Sequence, residues 1–344
     1  MISHPFPVMN SFNQLNEYIR AYRISQAIFS AYEIGLFDIL DRAPQTLNDL
    51  AQNLNVSHRG LRPLLGVMIS LDIISIHNDM YQISPDFAPY VAPSSGQYIG
   101  NLIAHEIHLS KRWQKLTRSI QSGKPEKKET EEQDESEVSR FIRAMSSVGR
   151  RSAQLFLKKV PFEDHEHVLD LGGGPGEYQK LLCEKYAGIT VTLFDQADTI
   201  QAAREAHKNH PAGKRMKYKT GDFLKDELGG PYQSIILSNI VHIYDDEILF
   251  SLLQNCFKSL KKDGRVLIKD FILTEETEKK SFTHLFALHM LLSTESGKCF
   301  HYQELTEIMK KAGFTTGRSY QITETSLVVE GVKTKEQGTL YDRF

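Results

Sequence analysis

The residues best suited to bind a ligand lie at 167–178, where an apolar strand pattern ends in a run of glycines. Three consecutive glycines from Gly172 are followed by a proline and by Gly176, and a helical pattern begins at Tyr178. A strand, a tight turn and a helix in this order open many nucleotide-binding domains, because glycine lets the backbone turn sharply and approach a ligand. Taken alone, the pattern fits either a nucleotide site or a structural turn.

Two acidic residues after later strands make the nucleotide interpretation more specific. Asp195 ends the second predicted strand, about 20 residues beyond the glycines, where a carboxylate can accept both ribose hydroxyls. Asp222 follows the third strand in the sequence Gly221-Asp222-Phe223. There the carboxylate can accept from an adenine amino group while the Phe223 ring covers the base. Together they predict a ligand that contains adenosine.

The spacing of the glycines distinguishes between two classes of ligand that contain adenosine, the dinucleotides and the phosphate-free ligands. A dinucleotide site usually has Gly-x-Gly-x-x-Gly, whereas Gly172, Gly174 and Gly176 fall at alternate positions. The slot of the third glycine holds Glu177, whose charge would repel a pyrophosphate. A phosphate-free ligand with a cationic centre fits this turn better, and S-adenosylmethionine is such a ligand.

His242 is the candidate for proton transfer. It lies just past the fourth predicted strand (234–237), at the end of the sheet where open α/β folds bind ligands. A phenol titrates near pH 10, so a histidine base would help its oxygen to react at neutral pH. The alternative is a histidine that only caps or packs at the strand end.

Alternating strands and helices must position these residues. From residue 168 onward the pattern predicts an α/β domain with a fifth strand at 266–268 and a closing hairpin at 315–320 and 326–332. A helix over 138–160 leads into the first strand and is expected to bridge two domains. A charged segment at 121–137 is expected to be an exposed loop.

The first part of the chain has a different pattern. Residues 12–34 predict one helix with a broad aromatic stripe, which packs either on its own domain or on a second copy of the chain. Capped helices from Thr46 and Ser57 and a hairpin over 73–83, with its turn at 77–79, describe a winged helix-turn-helix.

Charge argues against DNA as the partner of this winged helix. Residues 35–92 hold three basic and six acidic side chains, whereas a DNA reader needs a basic surface. The whole chain has a formal net charge of −2, which gives no electrostatic reason to expect nucleic acid or an anionic membrane. An interaction module is the favoured interpretation.

Length and composition set the remaining expectations. A chain of 344 residues predicts two domains. No signal-peptide or membrane-spanning pattern is found, and three widely spaced cysteines predict a reduced cytoplasmic protein. A helix over 99–120 carries His105 and His108, but no third ligand is in sight, so no metal site is predicted.

Beyond the glycine turn, residues 239–247 and 263–270 extend the set of motifs. In combination they resemble the class I O-methyltransferase family that includes plant caffeate and flavonoid enzymes, acetylserotonin methyltransferase and bacterial tailoring enzymes. The resemblance covers roughly residues 12–333. It implies a Rossmann-like class I methyltransferase domain, an N-terminal, mainly α-helical winged-helix dimerisation domain, S-adenosyl-L-methionine as cofactor and a homodimer acting on a small molecule in secondary metabolism.

The resemblance also assigns roles. It implies that His242 is the general base and that Asp270 orients it. The positions expected to hold the cofactor are Asp170, Gly172, Gly174, Gly176, Asp195, Gln196, Gly221, Asp222, Phe223, Ser238 and Asn239. The positions expected to line the substrate pocket are Phe141, Met145, His289, Met290 and Cys299.

Three positions depart from the family pattern. Ile243 replaces a frequent aspartate, Ser238-Asn239 replaces a frequent lysine or arginine, and Lys298 or Cys299 occupies the slot of a second glutamate beside the base. Methylation of an aromatic or conjugated hydroxyl is the leading hypothesis. Carbon, nitrogen or sulfur acceptors, a covalent role for Cys299, a non-catalytic cofactor-binding protein and a cofactor-sensing DNA regulator are the alternatives.

The expected domain boundaries follow from these patterns. Residues 1–98 form the dimerisation domain, 99–160 the bridging helices with the acidic loop, 161–333 the cofactor-binding catalytic domain and 334–344 a polar tail.

Overall fold

The computed structural model describes residues 10–126, 149–276 and 282–334. The chain divides into two compact units. The described residues of the first are 10–111, and those of the second are 112–126, 149–276 and 282–334. Within these ranges, no helix has the length and apolar character needed to cross a membrane.

The first unit is mainly helical with one hairpin. Its elements are α1 (Phe12–Arg20), α2 (Tyr22–Glu33), α3 (Leu36–Arg42), α4 (Leu47–Asn53), α5 (His58–Ser70), β1 (Ile74–His77), β2 (Met80–Ile83), α6 (Ala88–Val91) and α7 (Gly100–Trp113). The apolar faces of α2 to α6 and of the hairpin meet in one core around Phe37, Leu50, Leu61 and Met68, whereas α1 has no buried residue. The predicted sequence of two helices and a hairpin is present.

Capping side chains explain where two of these helices begin. Thr46 Oγ1 accepts a hydrogen bond from the main-chain N–H of Asp49, and Ser57 Oγ accepts one from Gly60, both at 3.2 Å. The hairpin turn contains only Asn78 and the residue after it, both with positive φ. The predicted three-residue turn was therefore one residue too long, because His77 pairs within the hairpin.

Two predicted helices are each divided in the structure. The helix expected over 12–34 breaks at Ala21, and the helix expected over 99–120 breaks between Trp113 and Leu116. At Ala21 the main chain makes i→i−3 hydrogen bonds, which tighten the turn and shift the helix register. Neither break contains glycine or proline, so residue types did not indicate them.

The second unit is built on a seven-stranded sheet. Its strands are β3 (His167–Leu171), β4 (Thr190–Asp195), β5 (Met216–Thr220), β6 (Tyr232–Ser238), β7 (Leu260–Asp270), β8 (Thr315–Thr323) and β9 (Ser326–Val332). They lie in the order β5-β4-β3-β6-β7-β9-β8, parallel except for β9, which is antiparallel to both neighbours. All five predicted parallel strands and the closing hairpin are present.

Helices cover both faces of this sheet. Those packed against it are α9 (149–159), α10 (Glu177–Lys185), α11 (Ala197–His207), α12 (Asp246–Ser259) and α14 (Tyr302–Lys311). The other two helices of the unit, α8 (Leu116–Ser122) and α13 (Thr283–Ser293), contact each other. Alternate side chains of each central strand enter different cores, as the pleat requires. On β7, Ile268 packs with α12 and α14, whereas Leu267 packs with α9 and α10.

Candidate active site

The glycine-rich loop connects β3 to α10 at the carboxyl ends of the parallel strands. Gly172, Gly174 and Gly176 have φ of +64°, +59° and +81°, a region in which side chains with a Cβ are strained. A Cβ added to Gly174 would meet no protein atom within 4 Å, so the loop is open to a ligand there. The glycines of the loop are therefore explained by its backbone conformation and by the space that it leaves for a ligand.

Asp170 lies under this loop at the end of β3. Its side chain is fully buried, and among the described residues neither carboxylate oxygen has a hydrogen-bond partner. Burial, and next the charge of Asp195, raise the pKa of Asp170 to about 7, against a smaller lowering effect of the Gln179 main chain. Burial of an ionised carboxylate is costly unless the charge is paired, so a ligand with a cationic centre beside Asp170 would remove that cost.

Asp195 closes the loop from β4. Its carboxylate accepts hydrogen bonds from the main-chain N–H groups of Gly174, at 2.9 Å, and Gln196, at 2.7 Å. Burial nevertheless raises the pKa of Asp195 above its ordinary value. The N–H of Gly221 donates to the main-chain carbonyl of Asp195, which ties the following loop to the same strand end.

Asp222 and Phe223 lie in the loop after β5. Asp222 Oδ1 accepts from the N–H of Leu224 at 3.0 Å, and Oδ2 pairs with Lys225 at 2.9 Å. Phe223 packs edge-on against Phe194, and its ring would lie 3.4 Å from a Cβ on Gly172. The predicted adenine-facing residues are therefore next to the glycine-rich loop.

Ser238 is the last residue of β6 and Asn239 follows it, so both precede the histidine in the chain. Ser238 Oγ donates to the hydroxyl of Tyr178 at 2.9 Å, and that hydroxyl lies 3.3 Å from Ser152 Oγ. Asn239 has a φ of +57°, and its Oδ1 accepts from Lys269 Nζ at 2.8 Å. The hydrogen-bonding role of Tyr178 was missed in the sequence, where it counted only as an apolar helical position.

His242 and Asp270 form a buried pair. His242 lies in a short 3₁₀ helix (Val241–Ile243) after β6, and its Nδ1 is 2.7 Å from Asp270 Oδ1 at the end of β7. Burial alone would raise the pKa of Asp270, but the imidazole, the Phe271 N–H and Lys269 outweigh it and leave that pKa below its ordinary value. An ionised carboxylate on Nδ1 directs Nε2 away from Asp270 and fixes the ring.

The rings of Phe271 and Phe286 form an aromatic wall beside His242. Phe286 of α13 meets the His242 ring edge-on, with centroids 4.8 Å apart, and the Phe271 ring packs on Phe286 with centroids 4.2 Å apart and a tilt of 38°. His289 lies along the same wall, 5.9 Å from Phe286, and Cys299 belongs to the same small apolar cluster. The structure thus brings two predicted substrate residues to the base through aromatic rings that the sequence did not single out.

Met290 and Cys299 are themselves buried. Cys299 Sγ donates to the carbonyl of Thr283 at 3.5 Å, and burial, with Asp270 second, raises the pKa of its thiol to about 12. This is the opposite of what a reactive thiol needs. Phe141 and Met145 lie outside the described residues.

Gly297 supports the base through the main chain. A Cβ at this position would overlap the His242 carbonyl oxygen and come within 3.1 Å of that of Ile243. The Gly297 N–H donates to Thr294 Oγ1 at 2.9 Å, and Lys298 pairs with Asp246 at 2.8 Å. The sequence indicated this contact only by a glycine close to Lys298 and Cys299, where the family pattern has a second glutamate.

The fold and these residues define a class. Of the parallel strands of the second unit, β3 leads into the glycine-rich loop above the buried carboxylate of Asp170. The same unit holds two further acidic residues at or just after strand ends, Asp195 and Asp222, and the His242 ring with its Asp270 partner. This is the arrangement of a class I methyltransferase that uses an adenosyl cofactor. Among residues 10–126, 149–276 and 282–334, no three His, Cys, Asp or Glu side chains converge as metal ligands would.

Comparison with known proteins gives the family. Residues 113–315 match the O-methyltransferase domain model, and residues 16–85 match the O-methyltransferase dimerisation domain model. The chain belongs to the O-methyltransferase family. It is an S-adenosylmethionine-dependent methyltransferase with S-adenosylmethionine as its cofactor.

Individual relatives are similar over nearly their whole length. Acetylserotonin O-methyltransferase of Macaca mulatta is 27% identical over 94% of this chain and 97% of the relative. The 3-hydroxy-5-methyl-1-naphthoate 3-O-methyltransferase of Streptomyces sahachiroi is 22% identical over 90% and 92%. The solved structure "PigF with SAH" superposes with a TM-score of 0.85 at 21% identity, covering 94% of this chain and all of that chain. The predicted fold class and family are confirmed.

Proposed function

We propose that this enzyme methylates a hydroxyl oxygen of a small aromatic molecule, with His242 as general base and Asp270 as the residue that orients it. The observation that carries the proposal is the 2.7 Å contact of His242 Nδ1 with the buried Asp270 carboxylate. The relatives add support, since two of them are named for O-methylation of acetylserotonin and of a hydroxynaphthoate.

Cofactor binding follows from residues of the second unit. The unpartnered carboxylate of Asp170 would hold the cationic methionine end, and the open Gly174 would allow the main chain to approach it. Asp195 and Asp222 would accept from the ribose and the adenine, with Phe223 on the ring. When bound, S-adenosylmethionine supplies an activated methyl group and a neutral leaving group.

The protein must then hold the acceptor and remove its proton. Phe271 and Phe286 provide an aromatic surface next to the base. Nε2 of His242 takes the hydroxyl proton as the oxygen attacks, and Asp270 stabilises the resulting imidazolium through Nδ1. Because Asp270 also accepts from the Phe271 N–H at 2.7 Å, its carboxylate is held in place before the acceptor arrives.

The test begins with the cofactor and then removes the base. S-adenosylhomocysteine should bind the purified chain, and a set of phenols with labelled S-adenosylmethionine should yield O-methylated product. His242→Ala should lower kcat about 100- to 10,000-fold without changing cofactor affinity, because it removes only proton transfer. The exposed His77→Ala is the matched control.

Either of two results would reject this mechanism. A near-normal kcat in His242→Ala would remove the base. Cofactor binding without methyl transfer to oxygen, carbon, nitrogen or sulfur acceptors would instead favour a regulatory cofactor-binding protein.

We also propose that the first unit makes the enzyme a homodimer. The matched dimerisation domain supports this, and so does a run of exposed apolar side chains in which Phe12, Ile19 and Tyr22 are 77%, 63% and 66% exposed. Tyr22→Glu should shift the sedimentation of the chain from dimer to monomer. Val67→Glu, at an exposed apolar position on α5, should leave the dimer intact.

A further inference from the structure

A lysine lies in the apolar end of the central strand β7. Lys269 follows three aliphatic residues that are completely buried, and it is itself only 4% exposed. Lysine is almost never buried to this extent unless its charge is paired. Its presence one residue before Asp270 therefore calls for a physical reason.

The hydrogen bonds of Lys269 do not neutralise its charge. Nζ donates to Asn239 Oδ1 at 2.8 Å, and the Asn239 N–H donates back to the Lys269 carbonyl at 2.8 Å. An ammonium has three N–H donors, and an amide oxygen carries no charge. Within the described part of the chain Lys269 Nζ has no carboxylate oxygen at ion-pair distance, and the neighbouring Asp270 is paired with His242.

Burial makes this cation costly. It lowers the pKa of Lys269 to about 8, although the nearby charge of Asp270 acts in the opposite direction. A methionine of similar length would fill the same space without that cost, and replacing buried charges by apolar side chains is often neutral or stabilising. The charge is therefore better explained by something it binds than by the packing of the strand.

The position of Lys269 in the sheet indicates whether it lies closer to the methyl acceptor or to the cofactor. The sheet order β3-β6-β7 places it two strands from Asp170 and directly beside Ser238 on β6. Its Nζ is 5.5 Å from the centre of the Phe271 ring, which packs on Phe286 beside His242. Lys269 is thus near the aromatic rings assigned above to the methyl acceptor and two strands from Asp170, while its partner Asn239 and its neighbour Ser238 are among the positions expected to hold the cofactor.

We propose that Lys269 is a specificity-determining residue that binds an oxyanion of the methyl acceptor, so that the preferred acceptors are aromatic hydroxy acids. This inference rests on the proposed function, because it assigns the acceptor of that same site. A carboxylate of the acceptor would use the N–H groups that Asn239 leaves and would neutralise the buried charge. The carboxylate of the cofactor is the other source of the same chemistry.

The probes are benzoate and benzamide, which match in shape and differ in charge. Their dissociation constants are measured by calorimetry on the full chain saturated with S-adenosylhomocysteine. Wild type should bind benzoate at least about tenfold more tightly than benzamide, as expected for a charge-assisted hydrogen bond. In Lys269→Met the ratio should fall to about one, whereas Lys262→Met, at an exposed lysine of the same strand, should keep it.

Three results would overturn the proposal. Wild type could show no preference for benzoate, or Lys269→Met could retain the preference. Alternatively, Lys269→Met could weaken S-adenosylhomocysteine at least tenfold while leaving 5′-methylthioadenosine, which lacks the amino-acid end, unchanged. That last result would assign Lys269 to the cofactor carboxylate.

Two further measurements keep the outcomes separate. Lys269→Gln retains a polar side chain without charge and replaces the methionine variant if that variant does not fold. Methyl transfer to a neutral phenol is followed in the same samples. If wild type transfers methyl groups but has no benzoate preference, this inference fails and the proposed function stands. If it neither binds the cofactor nor transfers methyl groups, the proposed function itself fails.

Discussion

Two buried aspartates of the second unit, Asp170 on the cofactor side and Asp270 on the base side, have opposite electrostatic environments. Both are at most 1% exposed and lie in parallel strands of the same sheet, Asp170 one residue before the end of β3 and Asp270 at the end of β7. The Asp170 carboxylate has no hydrogen-bond partner in the part of the chain that the structure describes, and its pKa is raised. Asp270 accepts from the His242 ring and from the Phe271 N–H, and its pKa is lowered.

The difference shows which part of the site is complete in the polypeptide. On the side proposed to hold the base, the chain itself balances the charge of Asp270, so this side would be pre-organised for proton transfer. The cofactor side retains an unbalanced carboxylate and an open glycine, so a cation must complete it. Breaking each side separately should therefore give different kinetic signatures.

The largest effect of the three variants below is expected on the cofactor side. Asp170→Asn keeps the shape and removes the charge, and should weaken S-adenosylhomocysteine about 10- to 100-fold, the loss expected for a hydrogen bond to a charged group. Wild-type affinity should rise from pH 6 to pH 8 as Asp170 ionises, and the variant should lack this dependence. Calorimetry at several pH values measures both. Asp198→Asn, at an exposed position on α11, is the control.

Ionisation of Asp170 should have the opposite effect on the stability of the cofactor-free protein: it should lower the free energy of unfolding, whereas it should favour cofactor binding. The pKa of Asp170 is about 7 when folded and near 4 when unfolded, so the folded state binds more protons between these values. Its contribution to the free energy of unfolding is fully present below pH 4 and is lost as pH rises through 7. Denaturant unfolding at pH 5 and pH 8 should show this loss in wild type and not in Asp170→Asn. Equal pH dependence in both would contradict an unpaired Asp170.

The cofactor side was largely predictable from the sequence, because its signals are local. Glycines that need positive φ, and acids at strand ends, follow one another along the chain. The strands could be recognised from their apolar runs, and parallel strands place their carboxyl ends together. Side-chain caps such as those of Thr46 and Ser57 were likewise predictable from a few adjacent residues.

The base side was predictable only in part. His242 was proposed from its place after a strand and Asp270 from family resemblance, and the structure places their side chains in contact. Phe286 and Gly297 reach the base from distant segments, and no local pattern indicates which of many apolar or glycine residues will do so. The helix break at Ala21 has a similar cause: it is a shift in hydrogen-bond register at a strong helix former, so propensity argues against it.

A smaller effect is expected from the main-chain support of the base. Gly297→Ala places a methyl group against the His242 carbonyl and should shift the imidazole by a fraction of an ångström. We expect kcat to fall about tenfold with cofactor affinity unchanged, since small displacements of a positioned group reduce rate. Gly317→Ala, where a Cβ would meet open space, is the control. Weaker cofactor binding in Gly297→Ala would mean that the two sides are not separate.

The smallest effect is expected at Cys299, which tests whether the base side is closed. Its thiol is buried against Phe271 and Phe286, and burial raises its pKa to about 12, so almost no thiolate exists at pH 7.5. Native protein should resist iodoacetamide at Cys299, while denatured protein should be alkylated at all three cysteines. Cys299→Ala should change kcat less than about twofold, because the residue acts as a small apolar side chain. Rapid alkylation of Cys299 in the native protein, with loss of methyl transfer, would show instead that solvent reaches the region around Asp270. That region could then no longer be described as closed in contrast to the open region around Asp170.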